Sequence, residues 1–476
     1  MLSRRALIAS GFLTRAVRAA DTRRLQAGAA MANVTPRLGA SLAGGMTDNV
    51  ARDVHDELHA KALVLDNGNT RVAIVLVDSC AVPRSIMDEA KRLIEAQVKI
   101  PPAHTLIAAT HSHSAPASAH LFQSKPDPKY VDFLPGRIAD AARIAVNRLR
   151  PATIGWGVGQ EPRALFNRRW FTKAGVQNDD PFGRGTGAVR MNPGFANPNI
   201  TRPAGPIDPD LGLVAVHGED GRPIALMGNY SLHYVGGVGG GAVSADYFAV
   251  WGPTLLRLAG VDPTGVVTMM TNACSGNING IDVTKRAEAF PPYGNIERVC
   301  ALLAPEGLRV WRGMKFEPWV ELAGSVEDLD LGVRLPSESD VRQAREWLSQ
   351  APEAEREADH YRDRRHIYAR ETVLLHEGYP KTVKVPSQGL RIGTLGIPTF
   401  PGEAFTELGL DVKRDRPMPG IMPIELANSY NGYIPTEDGH RHGGYETWRA
   451  KSSYLETEAA PKLVAAALRR LRAIAS

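Results

Sequence analysis

Runs of apolar residues at two different spacings predict a layered α/β fold. The segments "KALVLD" (61–66) and "RVAIVLVD" (71–78) flank the turn "NGNT", which is typical of a β-hairpin built on an Asn-Gly signal. The second run is almost entirely apolar, as expected for a strand buried on both faces. Residues 84–98 place apolar side chains at helical spacing, and "HTLIAAT" (104–110) follows as another buried strand. This alternation of strand and helix indicates α/β layering.

The same patterns continue toward the C-terminus. A helix is predicted over roughly 137–149, and "ATIGWGVG" and "PIALMGNYSLH" read as further strands. Residues 174–210 are rich in Gly, Pro, Asn and Asp, which favours a long irregular excursion over a site. "IPTFPGEAFTELG" predicts a strand that turns through Pro401 and Gly402 and begins a helix at Glu403.

Three charged or amphipathic segments predict outer helices. "LPSESDVRQAREWL" contains a capping pattern from Ser337 to Asp340, and 353–377 continues as a second helix, so the two are expected to form a hairpin on the outside. Residues 457–474 predict a closing amphipathic helix. The chain has no internal repeat and no Pro/Ser-rich linker. We therefore expect an α/β fold in which residues 26–476 form a single large catalytic domain, with mixed β-sheets flanked by helices.

Composition narrows the class of protein. Of 476 residues, 43% are hydrophobic and 22% are charged, which is typical of a soluble globular chain rather than of a disordered one. No apolar run approaches the ~20 residues of a membrane-spanning helix. The net charge of +5 is spread over 56 basic and 51 acidic residues without basic blocks, so we expect no nucleic-acid partner. Three scattered cysteines exclude a disulfide framework and say little about compartment.

The N-terminus predicts an export signal over residues 1–25. "MLSRRALIASGFLTRAVRAAD" has a basic start, a short apolar segment and small residues near position 20, and the pair Arg4-Arg5 indicates the twin-arginine route. Arg15 and Arg18 interrupt the apolar segment, so an arginine-rich organellar transit peptide or a frayed tail is the alternative. The export interpretation places the protein in the periplasm or outside the cell.

Two apolar runs end abruptly in histidine. In "ATHSHSAP", His111 and His113 follow a buried strand, and residues i and i+2 of an extended chain face the same side, so both imidazoles could point at one ion. In "GNYSLHYVGGVGGGAVSADY", His233 ends a strand beside a glycine-rich loop. The glycine spacing does not match a phosphate-binding loop. The simpler alternatives are a common H-x-H without function and a core histidine.

Two further segments carry ligand-type side chains. Glu403 follows a predicted strand, although a glutamate in the first turn of a helix also complements the helix dipole. "LANSYNGYIPTEDGHRHGGYETW" contains Tyr433, Tyr445 and two loop histidines, which could equally serve packing or face solvent. Four separate segments thus bring donor side chains to what we expect to be one edge of a sheet.

The order of these motifs resembles a known family. "MANVTPRLGASLAGG", "DVHDELHAKALVLDNGNTRVAIVLVD", "ATHSHSAP", "NACSGNING", "FPGEAFTELG" and "LANSYNGYIPTED" occur in the order and context found in the neutral/alkaline, non-lysosomal ceramidases. Members of that family are zinc amidases that hydrolyse the N-acyl bond of ceramide. The resemblance extends over about residues 27–450.

The resemblance implies a set of site residues and one Zn²⁺ per chain. It implies that zinc is held by four side chains: His111, His233, Glu403 and Tyr433. It implies that His113 either supports a ligand or acts in catalysis, and that Arg168 and Tyr445 polarise the scissile carbonyl. The implied substrate is a small-molecule or lipid amide, N-acylsphingosine or a related compound, and a lipid substrate would bring the protein to a membrane surface transiently.

Two features depart from the family pattern. Asn279 in "GNING" stands where the family has a serine proposed to participate in catalysis, and its amide could instead donate a hydrogen bond to an oxyanion. Ser275 could replace that serine only if the loop were reshaped. Longer members carry a C-terminal immunoglobulin-like domain, which we do not expect here. The open alternatives are a zinc hydrolase of other amides or of esters, and a catalytically inactive ligand-binding relative.

Overall fold

The computed structural model describes residues 24–475 with the exception of 184 and 186. The predicted export signal, residues 1–25, lies almost entirely outside the described residues. Within the described part of the chain, every helix is too short or too polar to span a bilayer.

The main sheet has eight strands and is divided into two halves. The halves are joined by only two residue pairs, Gln26 with Pro151 and Ala27 with Arg150. Two neighbouring pairs of strands are parallel and the remainder are antiparallel, so the predicted mixed sheet is confirmed. The strands, in order across the sheet, are Val267–Asn272, Pro223–Tyr230, Asp210–Gly218, Arg150–Gln160, Gln26–Asn33, His59–Asp66, Arg71–Val77 and Thr105–Ala109.

The two halves of the main sheet pack face to face. One buried cluster combines Leu63 and Ile74 of one half with Val214 and Met227 of the other, and it contains no helical residue. Helices Arg84–Val98 and Pro128–Asn147 cover the outer face of the first half, and helices Tyr247–Leu258 and Gly294–Arg312 cover the second. The layers therefore run helix, sheet, sheet, helix, which leaves the strand ends as the accessible sites for function.

Several local predictions are confirmed and others need correction. The hairpin at 59–77 and the helix at 84–98 form as predicted. The helix predicted at 137–149 begins earlier, at Pro128, because Asp127 caps it and Pro128 occupies its first turn, where a proline is tolerated. Helices 247–258 and 294–312 were not predicted, and each contains an internal proline that masks its pattern.

A second sheet and its helices close one end of the sandwich. Its strands are Leu322–Gly332, Thr382–Ile392, Leu395–Pro398 and Gly420–Ile421, and helices Thr406–Arg414 and Ala459–Arg472 pack against it. We call helices Glu338–Ser349, Glu353–Ala358 and Arg364–Gly378 the helical layer. The capping box at Ser337 is confirmed. The single helix predicted over 353–377 is interrupted, because Asp359 adopts a left-handed conformation with φ of 46°.

The predicted excursion at 174–210 contains short strands rather than irregular chain throughout. Val189–Met191 and Ile200–Pro203 pair with Arg169–Thr172 to form a three-stranded sheet. The remaining short strands are Ser41–Leu42, Asn49–Val50, Asp53–Val54, Phe166–Asn167, Ala242–Val243, Ile278–Asn279, Glu403–Ala404 and Tyr433–Ile434. The short helices are Pro102–His104, Pro162–Ala164, Glu437–His442 and Tyr445–Thr447.

Candidate metal centre

The site lies where strand ends of the two facing half-sheets meet. Strand Thr105–Ala109 ends just before His111 in one half, and strand Pro223–Tyr230 leads to His233 in the other. Asn272 Nδ2, at the end of a third strand, donates to Thr110 O at 3.0 Å. The expectation of a single sheet edge is therefore wrong, because the two histidines come from different halves.

A short segment bridges these two edges. The backbone N–H of Glu425 donates to Asn272 O at 3.0 Å, and that of Ala109 donates to Leu426 O at 3.1 Å. Leu426 has φ of 55°, in the left-handed region that non-glycine residues seldom adopt. The segment therefore holds the ends of the two half-sheets together directly beneath the histidines.

His111 is not on an extended strand, so the reason given above for its convergence with His113 is wrong. The strand ends at Ala109, and His111 has φ of 72°. Its backbone N–H donates to Ser79 O at 2.8 Å, which fixes the turn. A left-handed conformation costs a non-glycine residue about 1–3 kcal/mol and is concentrated at functional sites. The turn directs the imidazole into the space between the half-sheets.

Four donor atoms converge in this space. The Nε2 atom of His111 lies 3.0 Å from Nε2 of His233 and 3.1 Å from Nε2 of His113. Glu403 Oε2 lies 3.3 Å from His111 Nε2 and 3.6 Å from His233 Nε2. The side chains of His111, His233 and Glu403 are all buried. The structure thus brings together three of the four residues expected to bind zinc.

The backbone around the histidines fixes which nitrogen faces the centre. Nδ1 of His111 lies 2.6 Å from Cys80 O, and Nδ1 of His233 lies 3.2 Å from Ser275 O. A carbonyl only accepts, so each Nδ1 carries a proton, and in the neutral ring Nε2 is the nitrogen that presents a lone pair. Holding the second nitrogen of an imidazole to a carbonyl is the usual support for a metal-binding histidine.

These donors fit a cation of the size and preference of zinc. Glu403 Oε1 accepts from Tyr430 OH at 2.8 Å, whereas the buried Oε2 has no hydrogen-bond partner among the described residues. Tetrahedral zinc with bonds of about 2.0–2.1 Å needs donors roughly 3.3–3.4 Å apart, and the observed 3.0, 3.3 and 3.6 Å bracket that separation. Two imidazoles and a carboxylate are also a frequent catalytic zinc set.

The protonation states of the cluster residues also favour a positive charge at its centre. Burial lowers the pKa of His233 and of His113 well below the usual value, which keeps both imidazoles neutral. Burial opposes ionisation of Glu403, but His111 and Arg168 outweigh it and lower the pKa of this carboxyl. Burial likewise acts against charge on His111, yet Cys80 and Glu403 raise the pKa of His111 well above its usual value. The carboxylate therefore stabilises a positive charge here, which a metal ion supplies by displacing the proton.

Tyr433, the fourth expected ligand, lies beside this cluster. The strand Tyr433–Ile434 pairs in parallel with Glu403–Ala404, so Glu403 is in a strand and not at the start of a helix as predicted. The helix begins later, at Thr406. The ring of Tyr433 is 5.4 Å from Cζ of Arg168, and Tyr433 lines the same cavity as His111. This pairing places Glu403 directly opposite Tyr433 on the neighbouring strand.

Arg168 is held rigidly behind the histidines. Its Nε donates to Glu446 Oε1 at 2.9 Å and its Nη2 donates to Gly276 O at 2.8 Å. Its Nη1 lies 3.3 Å from His233 Nε2 and is the guanidinium nitrogen aimed at the cluster. Glu446 also accepts from Arg169 Nη1 at 2.7 Å, and its carboxylate is fully buried.

Tyr445 adjoins this ion-paired group. It precedes Glu446 in sequence, its ring lies 5.7 Å from that of Tyr433, and it lines the cavity. Burial raises the pKa of Tyr445, so its hydroxyl keeps its proton and can donate. Sequence reasoning missed Glu446, because its role depends on two arginines far away along the chain.

The structure does not bring Asn279 into the cluster. Its Nδ2 donates to Asn192 Oδ1 at 2.6 Å and its Oδ1 accepts from Ile281 N at 3.1 Å. Ser275 contributes its backbone carbonyl to His233, while its hydroxyl donates to the buried Glu425, whose pKa burial raises to about 8. The two loop histidines of the Tyr445 segment do not join the cluster either.

Two residues that contact His113 carry no sequence signal of their own. The ring of Tyr234 stacks on His113 at 3.6 Å with an interplanar angle of 16°. Gly44, with φ of 116°, lies so close to His113 that a Cβ atom would be 2.3 Å from its Cγ. Only glycine therefore fits at this position, and the motif "SLAGG" that contains it was quoted for the resemblance alone.

Comparison with known proteins supports the fold. No protein-family model matches the chain, and no curated protein matches it. Solved structures similar to this chain include neutral ceramidase from Pseudomonas aeruginosa, with a TM-score of 0.69 and 14% identity over 96% of this chain and 76% of that one, and a ceramidase complexed with C2, with a TM-score of 0.69 and 14% identity over 94% and 75%. At this identity the likeness concerns the fold. The resemblance first visible in the motifs is therefore confirmed at that level: the chain has the neutral ceramidase fold.

Proposed function

We propose that this chain is a zinc-dependent hydrolase that cleaves the N-acyl bond of a linear amide. The observation that carries the proposal is the convergence of His111 Nε2, His233 Nε2 and the buried Glu403 Oε2 within 4.8 Å of one another. His111, His233, Glu403 and Tyr433 would hold the ion. Zinc bound with an open coordination position supplies a water of pKa about 7 at neutral pH and polarises a carbonyl.

The surrounding residues suit amide hydrolysis. Arg168, whose Nη1 lies 3.3 Å from His233 Nε2, and Tyr445, which lines the cavity, would donate to the oxygen of a substrate carbonyl. His113, whose Nε2 lies 3.1 Å from His111 Nε2, would accept a proton and then deliver it to the leaving amine. Asn279 has no part in this scheme, because its amide is bonded to Asn192.

The test combines metal analysis with an assay. The purified protein should bind one zinc ion per chain and hydrolyse members of a panel of ceramide and simpler N-acyl amides. His111→Ala should lose the ion and reduce kcat/KM by about a thousandfold or more. His217→Ala is the matched control, since His217 is about half-buried against Phe316 and belongs to no donor cluster. Full activity in His111→Ala contradicts the proposal.

The inactive-relative alternative has its own test. A binding protein would retain zinc and bind acyl amides without turnover, and Asn279→Ser would then create activity. We expect Asn279→Ser to change kcat/KM by no more than about threefold, because the side chain bonds away from the cluster. A large gain of activity in this variant favours the alternative.

Export remains a proposal that rests on the sequence pattern of residues 1–25. Expression of the full chain followed by N-terminal sequencing of the protein outside the cytoplasm tests it. Cleavage near residue 25 supports export, and an intact N-terminus on cytoplasmic protein contradicts it.

A further inference from the structure

The space in front of the donor cluster is small. The cavity that His111, His113, Glu403 and Tyr445 line has a volume of about 30 Å³, and part of it lies against the ligand atoms themselves. A cavity of this kind needs roughly 10–15 Å³ for one water molecule, so it holds about two. A methyl-sized group fits beside the reacting carbonyl, whereas a long acyl chain does not.

One wall of the cavity is held by the helical layer. Phe122 is buried, and its ring lies 5.7 Å from Tyr368 of helix Arg364–Gly378 and 6.5 Å from Tyr445. The carbonyl of Phe122 accepts from Arg370 Nη2, and Gln123 Nε2 donates to Tyr361 O at 2.9 Å. These bonds run from side chain to backbone, so they fix the position of the wall itself. The narrowness of the cavity is therefore fixed by the fold.

The cavity offers a lipid tail little apolar surface, namely the side chains of Leu121 and Phe122. Among the described residues, ten large hydrophobic side chains are at least 36% exposed, and none of them lines this cavity. Burial of each methylene contributes about 0.8 kcal/mol to binding, and a long chain gains this only where it leaves water. Lengthening the acyl group therefore adds steric conflict without adding affinity.

We propose that this chain acts on amides of short acyl groups, of acetyl size, with Phe122 setting the limit of acyl length. The inference rests on the proposed hydrolase function and names its substrate class. The amine portion of the substrate stays toward solvent, on the side of the partly exposed Tyr445 and His113.

The experiment measures kcat/KM for N-acetyl, N-butanoyl and N-octanoyl derivatives of one chromogenic amine. The wild type should prefer acetyl over octanoyl by at least about tenfold. Phe122→Ala should raise the octanoyl-to-acetyl ratio by at least about tenfold, since it removes a ring that lines the cavity. Phe133→Ala, which alters a 43% exposed phenylalanine on helix Pro128–Asn147, should leave the ratio unchanged.

A binding measurement separates this proposal from the proposed function. Calorimetric titration of zinc-loaded protein with acetohydroxamate and octanohydroxamate reports the width of the cavity without turnover. If no amide is hydrolysed but acetohydroxamate binds more tightly, the hydrolase proposal fails and the acyl limit stands. If amides are hydrolysed with a preference that grows with acyl length, or if Phe122→Ala leaves the ratio unchanged, the acyl limit is overturned and the hydrolase proposal stands.

Discussion

The cavity at His111 and a second cavity, lined by Trp156, Met314 and Arg391, differ in volume and in the chemistry of the side chains that line them. The second has a volume of about 720 Å³, more than twenty times that at His111. Two of its arginines are paired with neighbours: Arg309 with Glu306 at 2.7 Å, and Arg391 through Nη1, which donates to Ile474 O at 3.1 Å. The small cavity instead gathers buried imidazole nitrogens and a carboxylate oxygen within 4.8 Å of one another. Convergent ligand-type atoms therefore identify the candidate site here better than volume does.

The substitution that tests this comparison most severely is Arg168→Lys beside the small cavity, because it should have the largest effect on activity among the substitutions that compare the two cavities. Lysine cannot reproduce the bonds to Glu446 and Gly276 while also aiming an N–H at the cluster. We expect kcat to fall about a hundredfold or more, with zinc content unchanged. Steady-state kinetics and metal analysis measure both. Arg163→Lys, at an exposed arginine paired with Glu161, should behave as wild type. Equal losses of kcat in Arg168→Lys and Arg163→Lys would contradict this prediction.

Glu446→Gln should have a smaller effect on catalysis. Glu446 touches no substrate in our scheme and acts by positioning Arg168, so we expect a roughly tenfold fall in kcat with little change in KM. Loss of the buried charge shared with Arg169 should also lower the free energy of unfolding by about 3 kcal/mol. Kinetics and denaturant melts measure the two effects. A stability loss without any change in kcat would show that Glu446 is only structural.

The large cavity should respond to mutation in stability alone. Val310 is 7% exposed, and it packs against Gly157, where a Cβ atom would be 2.9 Å from its Cγ1. Val310→Ala should cost about 1–2 kcal/mol of stability and leave kcat/KM within about twofold. Thermal melts and the amide assay decide the matter. A tenfold change in activity would mean that this cavity also takes part in the reaction.

The smallest expected effect is a pH dependence beside the large cavity. Burial lowers the pKa of His217, and Trp311 Nε1 donates to its Nε2 at 3.0 Å, which requires the neutral ring. Below pH about 6.5 the unfolded chain binds a proton that the folded chain resists, so stability falls as the pH drops. His217→Gln, which keeps an acceptor, should lose less Tm between pH 7 and pH 5. An equal loss of Tm between pH 7 and pH 5 in the wild type and in His217→Gln would show that His217 is not the source of the pH dependence.

Local pattern predicted much of the fold. The hairpin at 59–77 and the helix at 84–98 could be read directly, because their turn chemistry and apolar spacing are contained within a few residues. The face-to-face arrangement of the half-sheets could not be read. It depends on a junction of two residue pairs between strands far apart in the chain, which leaves no local signature.

In the candidate site, too, the features with a local sequence signal could be predicted and those that depend on long-range contacts could not. Histidines at strand ends and the motif order pointed to His111, His233 and Glu403, which the structure brings together. The backbone reason was wrong, since the left-handed φ of His111 replaces the extended geometry assumed for the pair. The role of Glu446 and the closure by Phe122 arise from contacts across hundreds of residues. Those contacts exist only in the folded chain.

The wide separation of the donor residues along the chain has a kinetic consequence. A growing polypeptide that has reached Glu403 but not Leu426 lacks both the bridging segment and Tyr433 of the expected ligand set. Under the proposed function, the ion would therefore bind late, after the two half-sheets have closed. A bound ion would link the two half-sheets and oppose any motion that separates them.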